Sequence, residues 1–223
     1  MATATRGTPA KDRAVLRGVD WDTYLALRDH PRNGHLRMSY LDGTLTLMSP
    51  GYIHDRSGWK LAILVSSVTE ALDIPAQGTA TSTLRRRGPG PRGGAGKEPD
   101  YGFYFRENEP RMRTKDDINL EVDPPPDLAI EVDHSRDSSA ALKLYARIGV
   151  PEVWRFRTRS RALWFGRLAG ETYEPIGHSL NLPRLTPALV LHALDRADLL
   201  GESEWRGWLL DWARALPEAS ATA

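Results

Sequence analysis

Cysteine is absent from the 223-residue chain, which excludes disulfides and thiolate metal sites. No apolar run reaches the ~18 residues that a membrane-spanning helix needs. The opening stretch MATATRGTPAKDRAV lacks the apolar core of a signal peptide, and residues 1–19 read as a short disordered leader. These absences point to a cytoplasmic protein with no membrane partner. A surplus of positive charge is missing too: Lys and Arg number 30 against 29 Asp and Glu, a net charge of +1. No global basic field supports binding to a nucleic-acid backbone, although a local patch stays open because steering depends on how charge is distributed. There is no zinc motif, P-loop, nucleophile elbow or dinucleotide-binding fingerprint. The neighbours His54-Asp55 and Asp133-His134 lack the third member that acyl transfer requires.

What is present is ordinary globular composition, 40% hydrophobic and 26% charged, in a chain long enough to bury a sizeable core. One domain is assigned to residues 20–200, with a C-terminal helix and tail over 201–223. Asp20 or Asp22 can cap a helix over 21–27. Alternating residues flank Asp42-Gly43, which marks a β-hairpin over 36–49. A largely buried helix follows over 55–72, and a Thr-rich strand over 77–84. The Gly-, Pro- and Arg-rich stretch RRRGPGPRGGAGK, residues 85–97, reads as a flexible loop; a phosphate-gripping arm and a solvated linker are both open, the linker slightly favoured. Strands are expected over 100–105, 128–132 and 153–156, and a meander over 162–167 and 172–176. Helices are expected over 140–148, 189–200 and 203–216. This order predicts an α/β or α+β fold, a mixed central sheet flanked by helices.

Glu131 stands in the middle of the apolar strand LAIEV, where a carboxylate is costly unless paired or bound to a cation. Asp133, two residues on, points to the same side. Asp100 follows Pro99 at a strand start. Oxygen ligands from neighbouring strands suit Mg²⁺ or Mn²⁺, and such a cation can activate water against a phosphoryl group. From spacing alone a structural pairing of Glu131 with an arginine is about equally open, since structural ion pairs also place acids in sheets.

Four segments in order, YLDGTLTLMSP followed by His54, KEPDYGFYF, PPPDLAIEVD and YARIGVPEVWRF, resemble the Uma-type restriction endonuclease family, a bacterial branch of the PD-(D/E)XK nuclease superfamily. The resemblance spans about residues 36–165. It implies a restriction-endonuclease-like core that cuts phosphodiester bonds with Mg²⁺, DNA as the substrate, and Asp100 and Glu131 as metal ligands, with Asp133 as a candidate third. It also implies a lysine that orients the attacking water. The sequence departs from the family there: Asp133 stands at the signature lysine position, Ala141 where relatives carry a helix lysine, and Ser39 where they carry an acid. Lys143, Lys97 or no lysine fills the role. A relative weakened in catalysis that binds nucleic acid or a protein partner is the alternative function.

His54 is a site residue under the resemblance and otherwise a cap. Asp137 reads as a helix cap before a site residue. Tyr145 and Trp154 read as core, and the stripe Trp205, Trp208, Trp212 as packing or a subunit interface rather than a base-stacking platform. A homodimer is left open.

Overall fold

The computed structural model describes residues 13–48, 52–133 and 139–218, with the side chains of residues 13 and 52–54 outside that description. Two sheets carry the chain. Among the described residues the first has five strands, in sheet order Arg13–Arg17, Thr44–Met48, Arg37–Leu41, Gly94–Lys97 and Leu84–Arg87, and the second six, in sheet order Thr172–Ile176, Ala162–Ala169, Glu152–Arg157, Leu128–Asp133, Tyr101–Phe105 and Ala76–Gly78.

The five-stranded sheet is built on the expected hairpin, β2 (Arg37–Leu41) and β3 (Thr44–Met48). Asp42 and Gly43 both take positive φ, 40° and 88°, the turn that matches the twist of paired strands. The helix α1 (Trp21–Arg28) starts where the Asp20 carboxylate accepts the Thr23 N–H at 2.7 Å. Three expectations fail in this half. The presumed leader contributes β1 (Arg13–Arg17), antiparallel to β3; residues 1–12 lie outside the described residues. The single strand over 77–84 is two pieces, β4 (Ala76–Gly78) and the start of β5 (Leu84–Arg87), which join different sheets. The stretch expected as a flexible loop is a second hairpin, β5 with β6 (Gly94–Lys97), and every residue of β6 is buried. Its glycines serve close approach rather than looseness. A Cβ on Gly96 would lie 2.1 Å from the Tyr24 hydroxyl oxygen, and one on Gly94 2.6 Å from the Trp21 ring.

The six-stranded sheet is mixed. The strand β7 (Tyr101–Phe105) runs antiparallel to β8 (Leu128–Asp133), and β8 parallel to β9 (Glu152–Arg157). The meander β10 (Ala162–Ala169) and β11 (Thr172–Ile176) completes one side. A short helix α3 (Glu109–Met112) follows β7. Leu128, Ile130 and Val132 face the apolar layer formed by α2 (Tyr52–Ala71), α5 (Pro187–Ala197) and α6 (Glu202–Ala215). The Trp stripe belongs to this layer: Trp205 is buried and donates to the Ala193 carbonyl at 2.9 Å, while Trp208 and Trp212 stack 5.4 Å apart. Ala129 and Glu131 face the other way, toward α4 (Ser139–Ile148) and the five-stranded sheet. Among the described residues no helix is long and apolar enough to cross a membrane.

Candidate active site

The chain leaves the five-stranded sheet at Lys97 and enters the six-stranded sheet at Tyr101, so Lys97 and Asp100 come from one short crossing segment. At its end the Asp100 N–H donates to the Ile130 carbonyl at 3.1 Å, and the Asp100 Oδ2 accepts the Val132 N–H at 2.7 Å. These two bonds bracket Glu131 and hold the two carboxyls side by side. Above them α2 carries Gly58, where a Cβ would come within 3.6 Å of the Asp100 Cβ and 3.2 Å of the Tyr101 ring. Only a small residue lets the helix lie so close.

Each Glu131 oxygen has its own donor. Oε1 takes the Lys97 ammonium at 3.0 Å, and Oε2 the Tyr145 hydroxyl at 2.7 Å. The same ammonium lies 5.5 Å from the centre of the Tyr145 ring. Arg37 approaches Asp100 Oδ1 at 3.4 Å and donates to the Pro99 carbonyl at 3.2 Å. Lys97, Asp100 and Glu131 are all buried. Burial, then repulsion from Glu131, pushes the Asp100 carboxyl up to about 8, against smaller opposing pulls from Lys97 and Arg37. Tyr145 is raised well above the usual phenol range by burial and then by Glu131, which keeps it a proton donor. Next to the cluster, Glu98 is buried and ion-paired with Arg28 at 2.7 Å.

The other candidates fall elsewhere. Asp133 ion-pairs with Arg155 at 2.9 Å, and its backbone carbonyl accepts the Thr158 N–H, which ties it to β9. Lys143 is exposed, whereas Tyr145 two residues on is buried, so the helix turns Lys143 away from Glu131. The His54 side chain, His134, Asp137 and Ser138 lie outside the described residues. Arg85 and Arg87, expected as a phosphate arm or a linker, engage Asp29 and Asp22 of the α1 region at 2.7 and 3.3 Å. Glu152 is fully buried. It accepts Trp154 Nε1 at 2.6 Å, the Leu180 and Asn181 N–H groups, and the Asn181 amide at 2.9 Å, fastening the loop after β11 to β9.

Tyr145, in the core as expected, and Arg37 also touch the cluster, contacts that the sequence reading did not foresee. A signal existed for Tyr145. It lies four residues after Ala141, the position where relatives carry a site lysine, and residues i and i+4 share a helix face. Two buried carboxyls beside an ammonium offer hard oxygen donors to a small divalent cation. Among the described residues no group of three or more His, Asp or Glu is placed to hold a metal. Two carboxylates with water filling the remaining positions is an ordinary arrangement for Mg²⁺. The residues present therefore fit the cation.

No curated protein matches the chain. Among solved structures, the crystal structure of "a putative nuclease belonging to DUF820" from Anabaena variabilis ATCC 29413 is similar at 16% identity. It matches over 86% of this chain and 99% of its own, with a TM-score of 0.48. The family Uma2, described as "Putative restriction endonuclease", matches residues 21–198. That match takes in the six-stranded sheet, the five-stranded sheet apart from β1, the Pro99-Asp100 crossing and Glu131, and the chain belongs to the Uma2 family.

Proposed function

We propose that the protein is a divalent-metal-dependent endonuclease that hydrolyses phosphodiester bonds in DNA. The observation that carries this is the buried meeting of Asp100, Glu131 and Lys97, with Lys97 in hydrogen-bond contact with Glu131 at 3.0 Å. Asp100 and Glu131 would hold Mg²⁺. Bound there, the cation supplies a water of lowered pKa and a counter-charge for the phosphoryl oxygens. Lys97 takes the part of the signature lysine. Its ammonium has three donors, of which one goes to Glu131, so it can orient water and stabilise charge developing on phosphate. Arg37, beside Asp100, adds positive charge at the same edge. Asp133 is assigned to the support of β9 through Arg155, and Lys143 to the surface.

A second reading is favoured by one feature. Both Glu131 oxygens already have internal donors, as they would in a relative that keeps the fold, binds nucleic acid and has weakened catalysis.

One experiment separates the two. Supercoiled plasmid is incubated with Mg²⁺ or Mn²⁺ and wild type, Asp100→Asn, Glu131→Gln or Lys97→Met, beside an RNA of similar length. Nicking of plasmid by wild type alone is the expected result. Retention of DNA without nicking favours the second reading. Equal nicking by all four proteins identifies a contaminant and overturns the proposal.

A further inference from the structure

We infer that Tyr145 is a positioning residue of this site: its hydroxyl fixes the orientation of the Glu131 carboxylate so that one oxygen is held by helix α4 and the other is presented toward Lys97 and Asp100. The geometry is specific. Glu131 comes from the central strand β8, and Tyr145 from the helix that covers that face. The Tyr145 side chain is fully buried, and its O–H donates to Oε2 at 2.7 Å. Oε1 faces the Lys97 ammonium at 3.0 Å, and that ammonium rests over the Tyr145 ring. One phenol therefore faces both the carboxylate and the ammonium of the cluster, through its hydroxyl and its π-face.

A carboxylate on a flexible stem loses rotamer freedom when it must present one oxygen in one direction. Fixing it beforehand removes that cost from cation binding, as outer partners do for ligating groups. Tyr145 touches no reacting atom, so it acts through Glu131. The inference leans on the proposed metal only for its binding arm.

The test is Tyr145→Phe, which keeps the ring and removes the donor. The control is Tyr104→Phe. Tyr104 is also buried, but its hydroxyl donates to the Pro124 carbonyl at 2.9 Å. Metal-free crystal structures of wild type and Tyr145→Phe are compared, and Mn²⁺ binding is measured by calorimetry for all three proteins. Glu131 is expected to leave its wild-type rotamer in Tyr145→Phe. Mn²⁺ affinity is expected to fall about tenfold there, and by no more than about twofold in Tyr104→Phe, on the scale known for outer partners of metal ligands. The midpoint of cleavage against Mn²⁺ should move up, with the rate at saturating Mn²⁺ recovering most of its wild-type value. An unmoved Glu131 carboxylate, or equal affinity losses in the two variants, overturns the inference. If wild type binds no Mn²⁺, the metalloenzyme reading fails, and the crystal comparison still decides whether Tyr145 positions Glu131.

Discussion

Stabilisation by Mg²⁺ should depend steeply on pH, because the cation must displace the proton held by Asp100. Burial and Glu131 push Asp100 up to about 8. The metal-free native state therefore holds this proton more tightly than the unfolded chain does. Its stabilising contribution is full below the unfolded value near 4 and is lost as pH rises through about 8. Metal binding runs in the opposite sense. From about pH 6 to about pH 8 the ionised fraction of a group with a pKa of 8 rises from about 1% to about 50%. That is a gain of roughly 50-fold in apparent affinity, or about 2.3 kcal/mol. With Mg²⁺ well above its dissociation constant, the whole gain enters the stability of the native state. At roughly 2–4 °C per kcal/mol for a chain of this length, the Mg²⁺-induced rise in Tm should be about 5–9 °C larger at the higher pH. Thermal melts with Mg²⁺ or EDTA at the two pH values measure it, and calorimetry in two buffers of different ionisation enthalpy counts the released proton. Asp100→Asn should lose both the Mg²⁺ shift and its pH dependence. The reasoning is refuted by a Mg²⁺ shift that is the same at both pH values, or by one that survives in Asp100→Asn.

Further expectations concern the lysine and the packing around it. Lys97→Met should abolish plasmid nicking, while adding Ala141→Lys in that background should restore part of it, because residue 141 lies one turn before Tyr145; no recovery at all would argue that the lysine position is not interchangeable. Lys143→Ala should leave nicking within about twofold of wild type, as expected for an exposed side chain away from the cluster. Glu152→Ala leaves the buried Trp154 donor and the part-buried donors of the loop after β11 without an acceptor and should cost roughly 1–3 kcal/mol in chemical denaturation. Gly96→Ala forces a Cβ into Tyr24 and should cost about 2–3 kcal/mol or more, read from the same denaturation curves, with nicking reduced because β6 carries Lys97.

Local signals carried much of the fold. Asp42-Gly43 needs no distant partner to turn, and the short apolar run LAIEV, entered from three prolines, reads as a covered strand. The pattern over 203–216 yielded α6, observed as Glu202–Ala215. The failure at β6 is instructive. Gly94, Ala95, Gly96 and Lys97 have almost no intrinsic preference for a strand, and glycine is usually a breaker. Their conformation is imposed by Trp21 and Tyr24, more than 70 residues earlier, whose rings leave room for nothing larger. The candidate site divided the same way. A carboxylate in an apolar strand and a Pro-Asp at a strand start are readable in one dimension. Which lysine reaches Glu131 is not, because β6 delivers its side chain from the other sheet. Tyr145 is buried in the core as its chemistry predicted, whereas its hydroxyl contact with Glu131 depends on how α4 packs.

Lys97 and Asp100 are three residues apart yet belong to different layers of the molecule. The pair of acids is held by bonds within the larger layer, whereas the ammonium depends on the smaller one docking against it. A chain whose smaller layer has detached would keep the two acids together and would lack the ammonium beside them. Assembly of the two halves is thus a condition for completing the cluster, and its three charged groups come together only in the fully folded chain.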